Sequence, residues 1–387
     1  MGGGARRRRH HRRGRRPDRP AGRDRRAGPG PRALRRVVST GGTSGTGGAG
    51  GAAKRILVIP PSRLHPAARA VLGAAVEVVD GADLDPAAFA AALAGAHAIV
   101  GAVTPERLAA AGALQVIGVP GSGTDHIDVT GATARGVLVV NAAGGQATAV
   151  AEHAVGLMLA LAKRIAVSDR IFHTEGRFVG REHFTGPGWP GWPHEIGGST
   201  IGIVGFGAIG RDLARKCRLG FDMTVLAHDP YCPPSEITAH GATPVAALPD
   251  LLGAVDWLSL HVPLTEATRG MIGAAELRTM RPTAVLINLA RGGVVDEDAL
   301  LRALRDGWIA GAGLDVFAEE PGPDGHPLYG LDQVVCTAHI GGWVEEAVPR
   351  LAAIMAEEML VALRGDRPGR LVNPAAWDHR RAAGATT

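Results

Sequence analysis

Short apolar runs recur in two series along this chain, separated by stretches with helical spacing, and that alternation limits the fold more than any other feature. A run such as Ala-Val-Leu-Ile-Asn (284–288) has no polar face, so it reads as a strand covered on both sides. Strands of that kind joined through helices are βαβ units, which assemble into parallel sheets. The first series opens at "KRILVIPP" (54–61). It continues through "AAVEVVD", an Ala-rich helix near 86–97, "AIVG", a helix after Thr104-Pro105-Glu106, "LQVIGVPGSG" and "VLVVNAAGG". A long apolar helix follows over 147–165. The second series starts at "STIGIVGFGAIG" and passes through "MTVLAHDP", "WLSLHVP", "AVLINLARGG", "IAGAGLDVF" and "QVVCTAHIGG", which predicts six strands. An amphipathic helix over 345–365 comes after the second sheet is complete, so it can return to the first.

The pattern therefore predicts an α/β chain of two doubly wound parallel-sheet domains, a Rossmann domain inserted into a discontinuous, flavodoxin-like one. The expected boundaries are 54–150 with 343–375 for the outer domain and 151–342 for the inserted one. Residues 376–387 read as a flexible C-terminus. A length of 387 residues suffices for two cores. No apolar run approaches the roughly 18 residues that span a membrane.

Residues 1–53 are of a different kind. They hold 15 Arg against 2 Asp, no aromatic residue, and a Gly/Ser/Thr-rich end. Such a segment buries no apolar surface and reads as disordered. Its charge could serve nucleic-acid binding, but it offers no stacking platform, and a non-functional extension is the favoured reading. Without it the chain carries 27 basic and 35 acidic residues, a net −8, so the overall +5 belongs to the tail. Cys217, Cys232 and Cys336 are odd in number and far apart, which points to a reduced, cytoplasmic setting. They and His240 lack metal-ligand spacing. The Pro/Gly/Trp stretch 176–198 breaks the βα pattern and reads as a surface arm.

Gly205-Phe206-Gly207-Ala208-Ile209-Gly210 is a G-x-G-x-x-G between a strand and a helix. The first glycine permits the tight turn, the second lets backbone approach a pyrophosphate, and the third lets helix and strand pack closely. Asp229 stands 19 residues beyond Gly210, at the end of the next strand. A carboxylate there accepts from ribose hydroxyls and repels a 2′-phosphate, so NAD is favoured over NADP.

Three further polar groups end three successive strands of the second series: Arg291, Glu320 and His339. In a parallel sheet those ends share the edge where a dinucleotide lies. The set suits oxidation of a hydroxy acid. The arginine forks onto a carboxylate, the histidine exchanges the hydroxyl proton, and the glutamate fixes the imidazole tautomer. Each has a duller reading alone: Arg291 bridged to Asp296 or Glu297, a solvated Glu320, a structural His339.

Residues 54 to about 375 resemble the D-isomer-specific 2-hydroxyacid dehydrogenases. The stretches that carry the resemblance are "GSGTDHIDV", "VAEHAVGLMLAL", "IGIVGFGAIGR", "LHVPLTEATRGMIG", "LINLARGGVVDEDAL", "GAGLDVFAEEP" and "HPLYGLDQVVCTAHIGG". The resemblance implies Arg291 as a substrate-binding and catalytic residue, His339 as acid/base and Glu320 as its partner. It also implies that backbone around Ser122 and Gly123 receives the substrate carboxylate. Asp315 would hold the nicotinamide carboxamide, and Val262, Pro263 and Leu289 would line the cofactor. The substrate would be a small 2-hydroxy or 2-keto acid, and the assembly a homodimer joined partly through the helix near 147–165. Gln146, Ala154, Ala338 and Trp343 depart from the common pattern at positions that bear on substrate identity. A rival reading on the same motifs is an NAD-sensing interaction protein of the co-repressor kind.

Overall fold

The computed structural model describes residues 53–176, 178, 180 and 193–381. The expectations for the Arg-rich tail up to residue 52, for the tryptophans between 186 and 192, and for 382–387 lie outside the described residues.

The first lobe is built on β1 (Lys54–Val58), β2 (Val76–Asp80), β3 (Ala98–Val100), β4 (Val116–Val119) and β5 (Leu138–Asn141), ordered β2-β1-β3-β4-β5. Every pairing is parallel, and Ile56, Leu57 and Val58 are wholly buried, as a strand without a polar face requires. Its helices start on readable signals. Asp85 accepts from Ala88 N at 2.8 Å ahead of Pro86, and Thr104 accepts from Arg107 N ahead of Pro105.

The helix Ala347–Leu363 returns to this lobe. Its Leu351, Met355, Met359 and Leu363 join the same core as Ile56 and Val116, each contributing about 1.5–3 kcal/mol on burial. Gly118 on β4 admits it, since a Cβ there would overlap the Met359 sulfur. The lobe does not stop at 375. Asn373 accepts from Val139 N and donates to Val137 O and Thr133 Oγ1, and Arg381 donates to Gly112 O at 2.6 Å. The flexible end expected from 376 is thus docked as far as Arg381. Polar side chains satisfy open carbonyls beside β5 here, a bond pattern that leaves no periodic trace in sequence.

The second lobe carries seven strands, not six: β6 (Thr200–Val204), β7 (Thr224–His228), β8 (Thr243–Pro244), β9 (Trp257–Leu260), β10 (Val285–Asn288), β11 (Gly311–Leu314) and β12 (Val334–Cys336). Their order is β12-β11-β10-β9-β6-β7-β8, again all parallel. The unforeseen β8 is two residues long, contains a proline and sits at the edge, the place where a strand tolerates one. Between β6 and β9 the strand order reverses, which opens the crevice where doubly wound sheets bind ligands. The helix Ala147–Ala162 buries Val150, Ala154, Leu157, Met158 and Leu161 against this sheet. The expected boundary at 150/151 falls inside that helix, whose apolar side belongs to the second lobe.

The chain passes between lobes twice, after β5 and before Ala347. The two passages lie side by side: Arg350 Nε donates to Gly145 O at 2.6 Å, and a Cβ on Gly342 would press on the Gln146 side chain. Among the described residues no helix is long and apolar enough to cross a membrane.

Candidate active site

The glycine turn after β6 is built as its spacing predicts. Gly205 has φ +91°, open to glycine, and a Cβ there would run into the His261 carbonyl. A Cβ on Gly210 would overlap the Gly205 carbonyl, so the helix Ala208–Phe221 starts flush against the turn. Gly207 faces open space. Asp229, ending β7, accepts from Phe206 N at 2.8 Å through one oxygen and from Tyr231 N at 2.9 Å through the other. It is therefore fixed to the turn itself. An open glycine, a helix N-terminus and an anchored carboxylate fit a dinucleotide: pyrophosphate over the turn, ribose hydroxyls at Asp229.

A single cavity of about 730 Å³ runs from that turn to the opposite lobe. It is lined by Gly207, Ala208, Ile209 and Gly210 of the turn, by Val262, Pro263 and Leu289, and by Ser122, Gly123, Arg291 and His339. Gly205, Asp229 and Glu320 are not part of this lining.

Arg291 is held by its loop. Asn288 accepts from Ala290 N and donates to Arg291 O, closing the turn after β10. Gly292 is required next, because a Cβ would overlap the Phe317 backbone where the β10 and β11 loops cross. The guanidinium reaches neither Asp296, which caps the helix Glu297–Arg305, nor Glu297, which accepts from Ala318 N. Its Nε donates instead to Asp125 in the first lobe at 3.1 Å, and its Nη1 to Ala290 O at 2.7 Å. Its Nη2 lies so close to Gly123 that a Cβ there would displace the guanidinium. The lobes thus meet at the arginine.

His339 follows β12 with φ +53°, a backbone region few side chains adopt without support. The support is Asp315 at the end of β11, 3% exposed. The Asp315 carbonyl accepts from His339 N at 2.7 Å. One carboxylate oxygen accepts from Thr337 Oγ1 and Ile340 N, and the other from Gly341 N at 2.8 Å. The residue expected to face a carboxamide therefore also clamps the loop of the acid/base. His153, on the helix Ala147–Ala162, reaches Thr337 Oγ1 at 2.9 Å and braces the clamp from behind. His339 Nδ1 meets Glu320 Oε2 at 2.6 Å, while Glu320 Oε1 accepts from Phe317 N at 2.9 Å. The carboxylate is anchored before it touches the imidazole, which leaves Nε2 for a substrate.

Residue reasoning missed Asp125, His153, Thr337 and His261. Asp125 had a signal, a carboxylate two residues beyond the Ser122-Gly123 turn at a strand end. His153 had none, being one of three polar residues on an otherwise apolar helix. His261 follows β9, lines the cavity and bonds Ser259 Oγ at 2.8 Å; burial pushes its pKa down to about 4, so the ring is neutral near pH 7. Burial also pushes the Cys217 thiol up to about 12, which leaves it no nucleophile.

Comparison with known proteins bears on this arrangement. Residues 155–341 match a family model described as D-isomer specific 2-hydroxyacid dehydrogenase, NAD binding domain. The chain is 40% identical over 316 residues to D-3-phosphoglycerate dehydrogenase of Mycobacterium tuberculosis, covering 80% of itself and 57% of that protein. It therefore spans little more than half the length of that relative. It is 42% identical over 274 residues to a glyoxylate reductase of Thermofilum pendens, covering 70% of itself and 78% of the relative. Among solved structures it superposes on an NADPH-dependent glyoxylate/hydroxypyruvate reductase of Sinorhizobium meliloti, in complex with NADP and malonate. The TM-score is 0.70 at 28% identity, over 86% of this chain and 100% of the other.

Proposed function

From the premise that the chain belongs to the D-isomer-specific 2-hydroxyacid dehydrogenases, we propose an NAD-dependent oxidoreductase acting on the CH–OH group of a small D-2-hydroxy acid, in equilibrium with the 2-keto acid. One observation carries this reading. Arg291 and His339 line the same cavity as the glycine turn, and Glu320 holds the histidine in place.

Bound NAD supplies the acceptor, and NADH the donor, of the hydride at C2. The protein's own residues do the rest. Arg291 presents a fork of N–H donors to the carboxylate and the adjoining oxygen. The backbone at Ser122 and Gly123 faces it from the first lobe and receives the same carboxylate. His339 takes the hydroxyl proton in oxidation and returns it to the carbonyl oxygen in reduction. Glu320, accepting from Nδ1, fixes the tautomer that leaves Nε2 free for that exchange and balances the imidazolium formed. Asp229 favours NAD, since a 2′-phosphate would meet its carboxylate; the Sinorhizobium neighbour is named for NADPH. The relatives' names, one a phosphoglycerate dehydrogenase and one a glyoxylate reductase, support a 2-hydroxy or 2-keto acid as substrate. A homodimer and a cytoplasmic setting belong to the same proposal.

Following NADH and NADPH oxidation with glyoxylate, hydroxypyruvate and pyruvate tests it. Turnover is expected with NADH in preference to NADPH. Arg291→Ala is expected to lower kcat/KM by about 10²–10³-fold, the usual cost of one preorganised donor. No turnover above background with any of the three acids would end the reading.

A further inference from the structure

The charges on the cavity wall narrow the substrate, on the premise that the dehydrogenase reading above holds. Besides His261, four lining side chains are of charge-bearing types: Arg291, His339, Asp125 and Asp315. His261 also lines it but stays uncharged. Among the described residues, then, the lining has one permanent cation and two carboxylates. Asp315 is spent on the His339 loop. Asp125 is over half exposed and shares Arg291 with whatever enters. The wall contributed by the first lobe, Pro120 to Asp125 and Ala143 to Gln146, holds no lysine, arginine or histidine in the lining. Arg350 and Arg370 bond the Gly145 and Ala143 carbonyls but do not line the cavity.

One carboxylate is well served here, by Arg291 and by backbone. A second anionic group is not. A phosphate is ordinarily met by arginine forks, lysines or helix N-termini. The glycine-turn helix is committed to the dinucleotide. The N-terminus of the helix Ala147–Ala162 is the remaining positive pole on that wall. It carries only about half a charge, against a dianion with Asp125 beside it.

We propose that the site takes a 2-keto acid, or the matching D-2-hydroxy acid, whose carboxylate is its only negative charge, and that it rejects a substrate bearing a phosphate. The remainder of the substrate meets neutral surface: Pro120, Thr124, Gln146, Leu351 and Trp343.

The experiment compares kcat/KM for hydroxypyruvate and 3-phosphohydroxypyruvate with NADH, in the full chain. Hydroxypyruvate is expected to lead by about 100-fold or more, the scale of leaving one buried charge unpaired. A cation placed on the bare wall, Thr124→Arg, is expected to raise the phosphorylated-to-unphosphorylated ratio about tenfold. If 3-phosphohydroxypyruvate equals or exceeds hydroxypyruvate in the wild-type chain, the inference falls and the dehydrogenase reading stands. If neither acid oxidises NADH, and glyoxylate and pyruvate fail with it, both fall together.

Discussion

The two lobes present the same kind of edge to the cavity and use it differently. Both are parallel sheets whose strands end at the cleft. On the second lobe the loops after β10, β11 and β12 each deliver a chemical group, Arg291, then Glu320 with Asp315, then His339. Each is pinned by bonds within its own loop or to the next. On the first lobe the loops after β4 and β5 deliver glycines, backbone and one half-exposed carboxylate, Asp125. One edge reacts and the other shapes. The lesson is that similar folds diverge at strand ends, where side chains can change without disturbing the pairing behind them.

The contrast can be broken most directly at the acid/base. His339→Gln is expected to lower kcat by about 10²–10⁴-fold, with thermal unfolding little changed because the ring is half exposed. Steady-state NADH oxidation beside a melting curve checks this, and a variant with wild-type kcat would remove the reacting edge from the account. A smaller effect is expected at Asp315→Asn, which keeps the shape but weakens acceptance from Ile340 N and Gly341 N. Loss of such a positioning carboxylate typically costs about 10–100-fold. Here it should appear in kcat with 2-keto acid, while the dissociation constant for hydride donor, measured by fluorescence, moves less than kcat does. An equal loss in both would assign Asp315 to the cofactor instead of the loop. The smallest effect is expected on the shaping edge. Asp125→Asn frees Arg291 from an exposed pair worth about 0.2–1 kcal/mol, so KM for the keto acid should fall by a few-fold. A rise in KM would mean Asp125 orients the arginine productively and that the first lobe does more than shape.

Much of this was legible from residues, and for a common reason. Buried parallel strands leave unbroken apolar runs, so β1, β4, β6, β9 and β10 declare themselves. The glycine turn is legible because a tight approach to backbone admits one residue type, as Gly205 and Gly210 show. Arg291, Glu320 and His339 stood out as charged or titratable groups at the ends of apolar strands. What stayed hidden depends on contacts between distant segments. Asp125 pairs with a residue 166 positions away, and His153 reaches Thr337 across 184. The docking of 376–381 rests on Asn373 and Arg381 bonding to carbonyls far back in the chain. The short β8 was hidden because two residues, one a proline, carry no periodicity.

The two passages between the lobes have a consequence for timing. Gly341 and Gly342 belong to one passage, and His339 sits only two residues ahead of them. Gly145 and Gln146 belong to the other, and both passages touch through Arg350 and Gln146. Any swing of one lobe about this spine is transmitted first to the segment bearing the proton donor. A lobe movement that narrowed the mouth would therefore also displace the loop that carries the imidazole.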